Sequence, residues 1–275
     1  MSTANATPAE LAVAIRAHAL RMVHRANASH IGTCLSIADI LAVLYGSVLR
    51  VDPQRPDWPE RDRFILSKGH GAAIFYAVLA ERGFFPVAWL EEEYCRDGGR
   101  LCGHATSTGV PGVEVSTGSL GHGLSIGCGM ALAAKRGGSP ARVFVVLSDG
   151  ELDEGSTWEA VLFAAHHGLD NLVAIVDYNK IQSFGRVAEV LDLDPLADKW
   201  RAFRWGVREI DGHDQGVIAA ALGAAPLETG RPSVLVAHTV KGKGVSFMEN
   251  DLAWHYRSPD AEQLARALAE IGAGS

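Results

Sequence analysis

The chain has 275 residues, of which 48% are hydrophobic and 21% charged, and its formal net charge is −7. This length suits one large domain with a sizeable core, so we predict a single domain over residues 1–275. The negative charge argues against nucleic acid or an anionic membrane as the main partner. The N-terminal segment resembles neither a secretory leader nor a membrane span. The four cysteines lack CxxC spacing and are typical of reduced thiols, so we expect a cytoplasmic protein.

Apolar spacing predicts the elements of the first third of the chain. A helix is expected over residues 8–28, with Thr7 as its N-cap and Pro8 at its first position. A second helix is expected over residues 36–49, capped by Ser36. A short strand over residues 63–66 then leads into a helix that ends at Arg82.

The remainder of the chain alternates between strands and helices. Helices are predicted over residues 89–94, in the alanine-rich segment up to Lys135, and over residues 152–165, 195–203, 214–224 and 259–271. Strands are predicted over residues 143–147, 172–176, 207–210 and 233–237. Such alternation, without an internal repeat, predicts an α/β fold: a doubly wound, mainly parallel sheet with helices on both faces.

The segment from residue 143 to residue 183 is the most informative for function. Its two apolar runs are joined by a helix, so its strands should be parallel and should end at the same edge of the sheet. Asp149 and Asn179 each follow one of these strands, and the carbonyl of Ile181 lies just beyond. Oxygen ligands of this kind suit a hard cation such as Mg²⁺. The alternative is that the two side chains are ordinary turn residues.

Glycines and histidines recur at the predicted element ends. Gly118, Gly121 and Gly123 precede the alanine-rich helix and would place backbone N–H groups at an anion site. Their G-x-x-G-x-G order and the lack of a preceding strand do not match a dinucleotide-binding fingerprint. A zinc site at Cys95, Cys102 and His104 would lack a fourth ligand, so buried or partly exposed thiols are the preferred interpretation.

Several histidines lie beside glycines or at element ends: His30, His70, His104, His122, His213 and His255. Taken singly, each is better explained as a turn or surface residue than as a catalytic one. Together they suggest a site that can donate to phosphate or exchange protons near neutral pH. The sequence does not indicate which of them converge.

The central motifs resemble those of transketolases. DGELDEGSTWEA followed by LDNLVAIVDYNKIQSFG is similar to the thiamine diphosphate signature, and in particular to the separately encoded N-terminal subunits of split transketolases. ASHIG, LSKGHG, CGHATS, PGVEVSTGSLGHG and WH extend the resemblance over nearly the whole chain. Ser148 stands where the family signature usually begins with Gly, which a tight turn tolerates if φ is negative. The resemblance implies a thiamine diphosphate-binding fold of the diphosphate-binding type.

The resemblance also assigns residues to roles. Those that would act on the substrate are His30, His104 and His255. Those that would bind thiamine diphosphate are His70, Gly118, Leu120, Gly150, Glu151, Asn179 and His255. Those that would hold Mg²⁺, or another divalent cation such as Ca²⁺ or Mn²⁺, are Asp149, Asn179 and the carbonyl of Ile181.

The resemblance says less about three further positions. Glu154 and Glu159 match an acidic pair near the subunit interface of the family. His122 stands where full-length transketolases often have Gln, so the resemblance implies no role for it.

The resemblance further implies that a partner is needed. In thiamine diphosphate enzymes a second domain supplies a glutamate that hydrogen-bonds the aminopyrimidine ring, and this chain ends at Ser275, where that domain would follow. We therefore expect the partner to be a C-terminal transketolase subunit, in a heterotetramer of two plus two chains. The assembly would transfer a two-carbon ketol unit from a ketose, expected to be phosphorylated, to an aldose.

Three other functions are alternatives to this interpretation. The α subunit of a 2-oxo acid dehydrogenase also holds a metal–diphosphate motif, although HTVKGKGVSFMEN and LSKGHG favour ketol transfer. A non-catalytic interaction subunit that kept the fold is the second alternative, and the retained Asp149, Asn179 and histidines argue against it. A nicotinamide-dependent oxidoreductase is disfavoured by the order of the glycines.

Overall fold

A parallel sheet forms the centre of the molecule. The computed structural model describes residues 6–272, so the ends of the predicted domain, residues 1–5 and 273–275, lie outside the described residues. Within residues 6–272 the strands are β1 (Arg63–Leu66), β2 (Val143–Ser148), β3 (Leu172–Tyr178), β4 (Gly206–Asp211) and β5 (Ser233–His238). Their order is β1-β2-β3-β5-β4, with parallel pairing between neighbours. All five predicted strands are confirmed.

Helices surround the sheet. They are α1 (Pro8–Ala26), α2 (Ile31–Ser36), α3 (Ala38–Val43), α4 (Ala72–Glu81), α5 (Ala88–Glu92), α6 (Gly123–Arg136), α7 (Gly155–His166), α8 (Val187–Val190), α9 (Leu196–Ala202), α10 (Gln215–Gly223), α11 (Ala253–Tyr256) and α12 (Ala261–Glu270). Single 3₁₀ turns at Gly69–Gly71 and Gly150–Asp153 follow β1 and β2. Within the part of the chain that the structure describes, no helix is both long and apolar enough to cross a membrane.

Both faces of the sheet are buried. Successive side chains of a strand point to opposite faces, and β2 shows the consequence. Its Phe144 and Val146 belong to one apolar cluster, together with residues of α1 to α4. Its Val143, Val145 and Leu147 belong to a second cluster with α6, α7 and α9. Helices on both faces confirm the doubly wound α/β architecture, and each fully buried side chain of this size contributes about 1.5–3 kcal/mol.

The first helix begins as its sequence predicts. Thr7 is the N-cap of α1, its hydroxyl accepts a hydrogen bond from the Glu10 N–H at 3.3 Å, and the Glu10 carboxylate accepts one from the Thr7 N–H at 2.8 Å. Pro8 occupies the first helical position, where its missing N–H is harmless. The helix ends at Ala26, and its C-cap residue Asn27 has a φ of 45°, in the left-handed region.

The predicted single helix over residues 36–49 is wrong. Helix α2 begins at Ile31, and Ile37 interrupts it with φ −102° and ψ 6° before α3 and a π-helical turn over Leu44–Val48. Ser36 is the last residue of α2 and caps no helix. Its hydroxyl donates to Asp177 Oδ2 at 2.7 Å, so a tertiary partner takes the group that the sequence assigned to a cap.

The helix after β2 also starts later than predicted. The chain passes through the 3₁₀ turn at Gly150–Asp153, and α7 then begins at Gly155 instead of residue 152. The helix ends at His166, and Gly168 beyond it has a φ of +55°, in the left-handed region that favours glycine.

A buried carboxylate joins the N-terminal end of the sheet to the loop before it. The Asp62 side chain is fully buried and forms ion pairs with Arg50 at 2.8 Å and Arg142 at 2.7 Å. Both arginines also donate backbone N–H groups to this carboxylate at 3.0 Å. Since Arg142 directly precedes β2, Asp62 fixes the start of that strand.

Candidate active site

The predicted site residues meet at the carboxyl edge of the sheet. A single cavity there is lined by His30, His70, His104, Gly118, Leu120, Asp149, Gly150, Asn179, Ile181 and His255. Parallel strands place the residues that follow β2 and β3 side by side, because Ser148 is paired with Asp177 in the sheet. The other residues reach the cavity from loops and from the ends of α2 and α11.

Four histidines form a cluster on one side of this cavity. The His30 ring centroid lies 5.3 Å from that of His70, 5.7 Å from that of His104 and 5.0 Å from that of His255. His30 has a φ of 76°, and its N–H donates to the His255 carbonyl at 2.9 Å, which ties two of the segments together. His122 lies outside the cavity lining, on the exposed N-terminal end of α6.

Three rings of this cluster, those of His30, His70 and His255, have lowered pKa values. Burial, followed by the charges of His104 and the nearby lysines, lowers the pKa of His30 to about 4. Burial and the charge of Lys241 lower the pKa of His255 to about 3, and burial lowers the pKa of His70 well below its ordinary value. Neutral imidazoles have one donor and one acceptor nitrogen, so these rings can both donate to oxygen and accept a proton.

Oxygen atoms line the opposite side. Asp149 accepts hydrogen bonds from the N–H groups of Gly150 at 2.8 Å and Lys180 at 2.6 Å, and Asn179 Oδ1 accepts one from the Ile181 N–H at 3.1 Å. Burial and the charge of Asp177 raise the pKa of Asp149 to about 6. A cation beside this carboxylate would reverse that shift, and the donor set fits a hard divalent ion.

Such a metal site depends on more than acidic side chains. Among residues 6–272, no group of three or more His, Cys, Asp or Glu side chains is placed to hold a metal ion, and this applies to Cys95, Cys102 and His104 as well. The predicted ligands include one carboxylate only. The amide oxygen of Asn179 and the carbonyl of Ile181 would have to supply the remainder of the protein ligands.

Lys241 lines the cavity and was not singled out by the sequence. Its ammonium donates to the Ile181 carbonyl at 2.7 Å and contacts His255 Nδ1 at 3.0 Å, so it joins the oxygen side to the histidine side. Burial lowers its pKa to about 8. The available signal was its position shortly after the strand that ends at His238, at the same edge of the sheet. Thr33, Ser148, Gln182 and Ser183 complete the lining.

A buried ion pair lies behind the oxygen side. The Lys68 ammonium and the Asp177 carboxylate form an ion pair, and both side chains have zero exposure. Asp177 also accepts hydrogen bonds from Asn179 Nδ2 at 3.0 Å and from the hydroxyls of Ser36 and Thr239. The bond to Nδ2 orients the Asn179 amide, so that its oxygen is the atom near the Ile181 N–H.

Glu151 does not line the cavity. Its buried carboxylate accepts hydrogen bonds from the Ser67 hydroxyl, from the Gly121 N–H at 2.9 Å and from the Ser148 N–H at 3.4 Å. The prediction that Gly121 contributes to an anion site is therefore wrong, because its N–H group donates to Glu151. Ser148 is the last residue of β2, and its hydroxyl accepts from the Glu151 N–H at 3.2 Å, so it belongs to the same turn.

Glycines allow close contacts around the cavity. Gly118 has a φ of +152°, and a Cβ there would lie 3.0 Å from His104. A Cβ on Gly150 would lie 3.2 Å from the Gln182 side chain.

Glu159 lies apart from this cavity, in a groove between α6 and α7, so its proposed interface role stays a prediction.

Comparisons with known proteins agree with this geometry. The family model described as "Transketolase, thiamine diphosphate binding domain" matches residues 7–274. A 6-deoxy-6-sulfo-D-fructose transketolase subunit from Clostridium sp. (strain MSTE9) is 43% identical over 257 residues, covering 94% of this chain and 93% of the relative. An apulose-4-phosphate transketolase subunit from Phocaeicola vulgatus is 41% identical over 256 residues, covering 93% of this chain and 90% of that relative.

Solved transketolase structures have the same fold as this chain. Transketolase from Campylobacter jejuni has a TM-score of 0.91 at 30% identity, and that from Leishmania mexicana has a TM-score of 0.91 at 32% identity. The match covers 97% of this chain in both cases, but only 43% and 41% of those transketolase chains. The chain thus spans less than half the length of the transketolases whose structures it matches. On the family match and these identities, the chain belongs to the transketolase family and contains its thiamine diphosphate-binding domain.

Proposed function

We propose that this chain is the diphosphate-binding subunit of a two-chain transketolase. The observation that carries the proposal is one cavity that combines four histidines with the oxygens of Asp149, Asn179 and Ile181. Relatives of similar length are themselves named as transketolase subunits, which supports a division of the enzyme between two chains.

The oxygen side would anchor the cofactor. Asp149, Asn179 and the Ile181 carbonyl would hold Mg²⁺, or Ca²⁺ or Mn²⁺, which in turn binds the diphosphate. Gly150 leaves room for the diphosphate beside this metal, and His70 and His255 would donate to its oxygens. Thiamine diphosphate, when bound, supplies the carbon nucleophile needed to transfer a two-carbon ketol unit between sugars. Gly118 and Leu120 would pack against the cofactor from the other wall of the cavity.

The histidines would act on the sugar. Low pKa values keep the His30 and His255 rings neutral. His30 and His104 would donate to carbonyl or hydroxyl oxygens or accept a proton, whereas His255 would donate from Nε2, because its Nδ1 faces the Lys241 ammonium. Proton transfer by a positioned group of this kind typically contributes 10²–10⁴-fold in rate. Their ring spacing of 5.0–5.7 Å from His30 lets them contact neighbouring oxygens of one substrate.

A partner chain would complete the cavity. Its volume of about 170 Å³ is small for a cofactor of this size, since enclosed small-molecule sites usually measure roughly 300–1,000 Å³. We propose that this partner is a C-terminal transketolase subunit, in a heterotetramer of two plus two chains, with a sugar or sugar phosphate as substrate. The four cysteines are free thiols, in keeping with a cytoplasmic assembly.

The deciding experiment is reconstitution. The purified chain should be inactive alone and should transfer ketol units once it is mixed with a C-terminal transketolase subunit encoded nearby. Turnover by this chain at partner-free purity would contradict the need for a partner. Release of CO₂ from a 2-oxo acid by the mixture would instead support a dehydrogenase α subunit.

Cofactor binding tests the metal site. In the assembled enzyme, Asp149→Ala should weaken Mg²⁺-dependent binding of thiamine diphosphate by more than 100-fold, because loss of an outer partner alone typically costs 10–100-fold. Asp198→Ala is the matched control, since this carboxylate is 68% exposed and remote from the cavity. Fluorescence titration measures both variants. Near-normal binding by Asp149→Ala would refute the assignment.

A further inference from the structure

A second buried polar network lies beside the active site. The Asp39 carboxylate is paired with the Arg16 guanidinium and accepts hydrogen bonds from Gln215 Nε2 at 3.0 Å and His213 Nδ1 at 3.0 Å. Burial raises the pKa of Asp39, but the His213 bond and the Arg16 charge outweigh it and hold this pKa well below its ordinary range. Asp39 is therefore ionised, and His213 Nδ1 must be the donor.

The other ring nitrogen of His213 is a hydrogen-bond acceptor. His213 Nε2 accepts a hydrogen bond from the Val240 N–H at 2.9 Å. A ring nitrogen that accepts from an amide carries no proton, so the two bonds together select the neutral tautomer with its proton on Nδ1. Only 13% of the His213 side chain is exposed. Asp39 thus fixes the ring, and the ring fixes one backbone amide.

That amide belongs to the turn that carries Lys241. Lys241 follows Val240 directly, and its ammonium reaches the Ile181 carbonyl and His255 Nδ1. The next residue, Gly242, donates its N–H to the Gly32 carbonyl at 2.9 Å, close to His30. A displacement of this turn would therefore move contacts on both sides of the cavity.

The packing leaves the turn little freedom. Gly212 precedes His213 and donates its N–H to the His238 carbonyl at 2.9 Å. A Cβ on Gly212 would lie 2.4 Å from the Thr239 side chain. The two segments are thus in direct contact, with the His213–Val240 bond as their polar link.

We propose that His213 is a positioning residue: by accepting the Val240 N–H, it places the Lys241 ammonium against the Ile181 carbonyl and His255 Nδ1. In this arrangement Lys241 donates to Nδ1 of His255, so His255 presents its Nε2–H to the cavity. The expected effect on cofactor binding rests on the function proposed above. The role of His213 in fixing the turn is independent of that function.

Two substitutions separate the bonds of His213. His213→Gln places an amide oxygen near the former Nε2 and keeps an acceptor for Val240. His213→Asn places an amide nitrogen near the former Nδ1 and keeps a donor for Asp39, but it leaves the Val240 N–H without its acceptor. The proposal predicts that Gln preserves the site and Asn does not. If His213 served only to pair with the buried Asp39, His213→Asn would preserve the site and His213→Gln would not.

The turn itself is measured in the full chain without partner or cofactor. Hydrogen exchange of the Val240 amide should be roughly tenfold or more faster in His213→Asn than in wild type, and near wild type in His213→Gln. ¹⁵N NMR of the imidazoles should show His255 protonated on Nε2 in wild type and His213→Gln, and a mixture of tautomers in His213→Asn. Equal exchange rates in the two variants would overturn the proposal.

The functional consequence is measured in the assembled enzyme. Titration should show thiamine diphosphate binding about 10–100-fold weaker in His213→Asn and near normal in His213→Gln. Asn and Gln variants with equal affinities would overturn the proposal at this level. If even the wild-type assembly fails to bind the cofactor, the proposed function fails, and the exchange and tautomer measurements still decide the role of His213.

Discussion

The buried pair of Lys68 and Asp177 allows a sharp prediction about stability. Both side chains have zero exposure, and the Lys68 ammonium also donates to the Thr33 carbonyl at 3.1 Å. Lys68→Met keeps most of the aliphatic length but removes the charge and the hydrogen-bond donors of the ammonium group. The Asp177 carboxylate then keeps its hydroxyl and amide donors but has lost its cation, in a place that water does not reach.

The expected loss follows from this burial. Removing one partner of a buried ion pair typically costs about 3–5 kcal/mol, because the remaining charge is left uncompensated. This corresponds to roughly a 10²–10⁴-fold increase in the unfolding equilibrium constant. Lys135→Met is the matched control, since Lys135 is paired with Asp170 at 2.7 Å but is 41% exposed. An exposed pair of this kind contributes about 0–1 kcal/mol.

Urea denaturation, followed by far-UV circular dichroism and tryptophan fluorescence, measures both losses. The double variant Lys68→Met, Asp177→Asn should be more stable than Lys68→Met, because it removes the uncompensated charge together with its partner. If Lys68→Met loses no more stability than Lys135→Met, or if the double variant loses the sum of both single changes, the argument from charge burial is refuted.

Three further predictions use matched changes elsewhere. In α6, Gly127→Ala would place a Cβ 2.6 Å from a valine side chain of β2, whereas one on Gly129 meets nothing within 4 Å. We expect the first to destabilise by about 1–3 kcal/mol and the second to stabilise by about 0.5–1 kcal/mol in urea. Burial raises the pKa of Asp62, but hydrogen bonds from its two arginine partners outweigh it and leave the pKa below its ordinary value. Its contribution is then fully present above the unfolded-state pKa of about 3.9 and is lost as pH falls through the lower folded-state pKa. The urea midpoints of wild type and Asp62→Asn should therefore converge as the pH is lowered through this window. His30→Ala and His104→Ala in the assembled enzyme should lower kcat/KM on the order of 10²–10⁴-fold and leave cofactor affinity less affected.

Each of these has a clear contrary result. Equal effects of the two alanines in α6 would contradict the close contact between that helix and the sheet. The urea midpoints of wild type and Asp62→Asn could instead differ by the same amount at every pH. That result would show that the two arginines do not stabilise the ionised form of Asp62. Unaltered kinetics in a histidine variant would exclude that ring from the reaction.

The sequence predicted those parts of the molecule that depend on local pattern. All five strands were found, and the central ones, β2, β3 and β5, are buried apolar runs of the kind that is typical of parallel sheets. The Thr7 cap was found because capping needs only residues within one helical turn. The approach of Asp149 and Asn179 to one cavity was also predicted, since it needs only two consecutive strands and a parallel connection.

Errors arose where a distant residue changes the role of a local group. Ser36 looked like an N-cap, but its hydroxyl donates to Asp177, 141 positions away. Gly121 looked like part of an anion site, but its N–H donates to Glu151, 30 positions away. Glu151, which the resemblance assigns to the cofactor, does not line the cavity, and its role in cofactor binding stays a prediction. A local motif shows which groups are available for bonding and does not show which distant group takes them.

Strand order explains why Lys241 was overlooked while Asn179 was found. Both follow a strand at the carboxyl edge of the sheet, but β2 and β3 are consecutive in sequence, whereas β5 lies beside β3 only because β4 takes the edge position. The convergence of His30, His70, His104 and His255 had the same difficulty, because they come from four separate segments. Once β5 is placed next to β3, the rule that selected Asn179 also selects the turn after His238, and with it Lys241 and the amide that His213 holds.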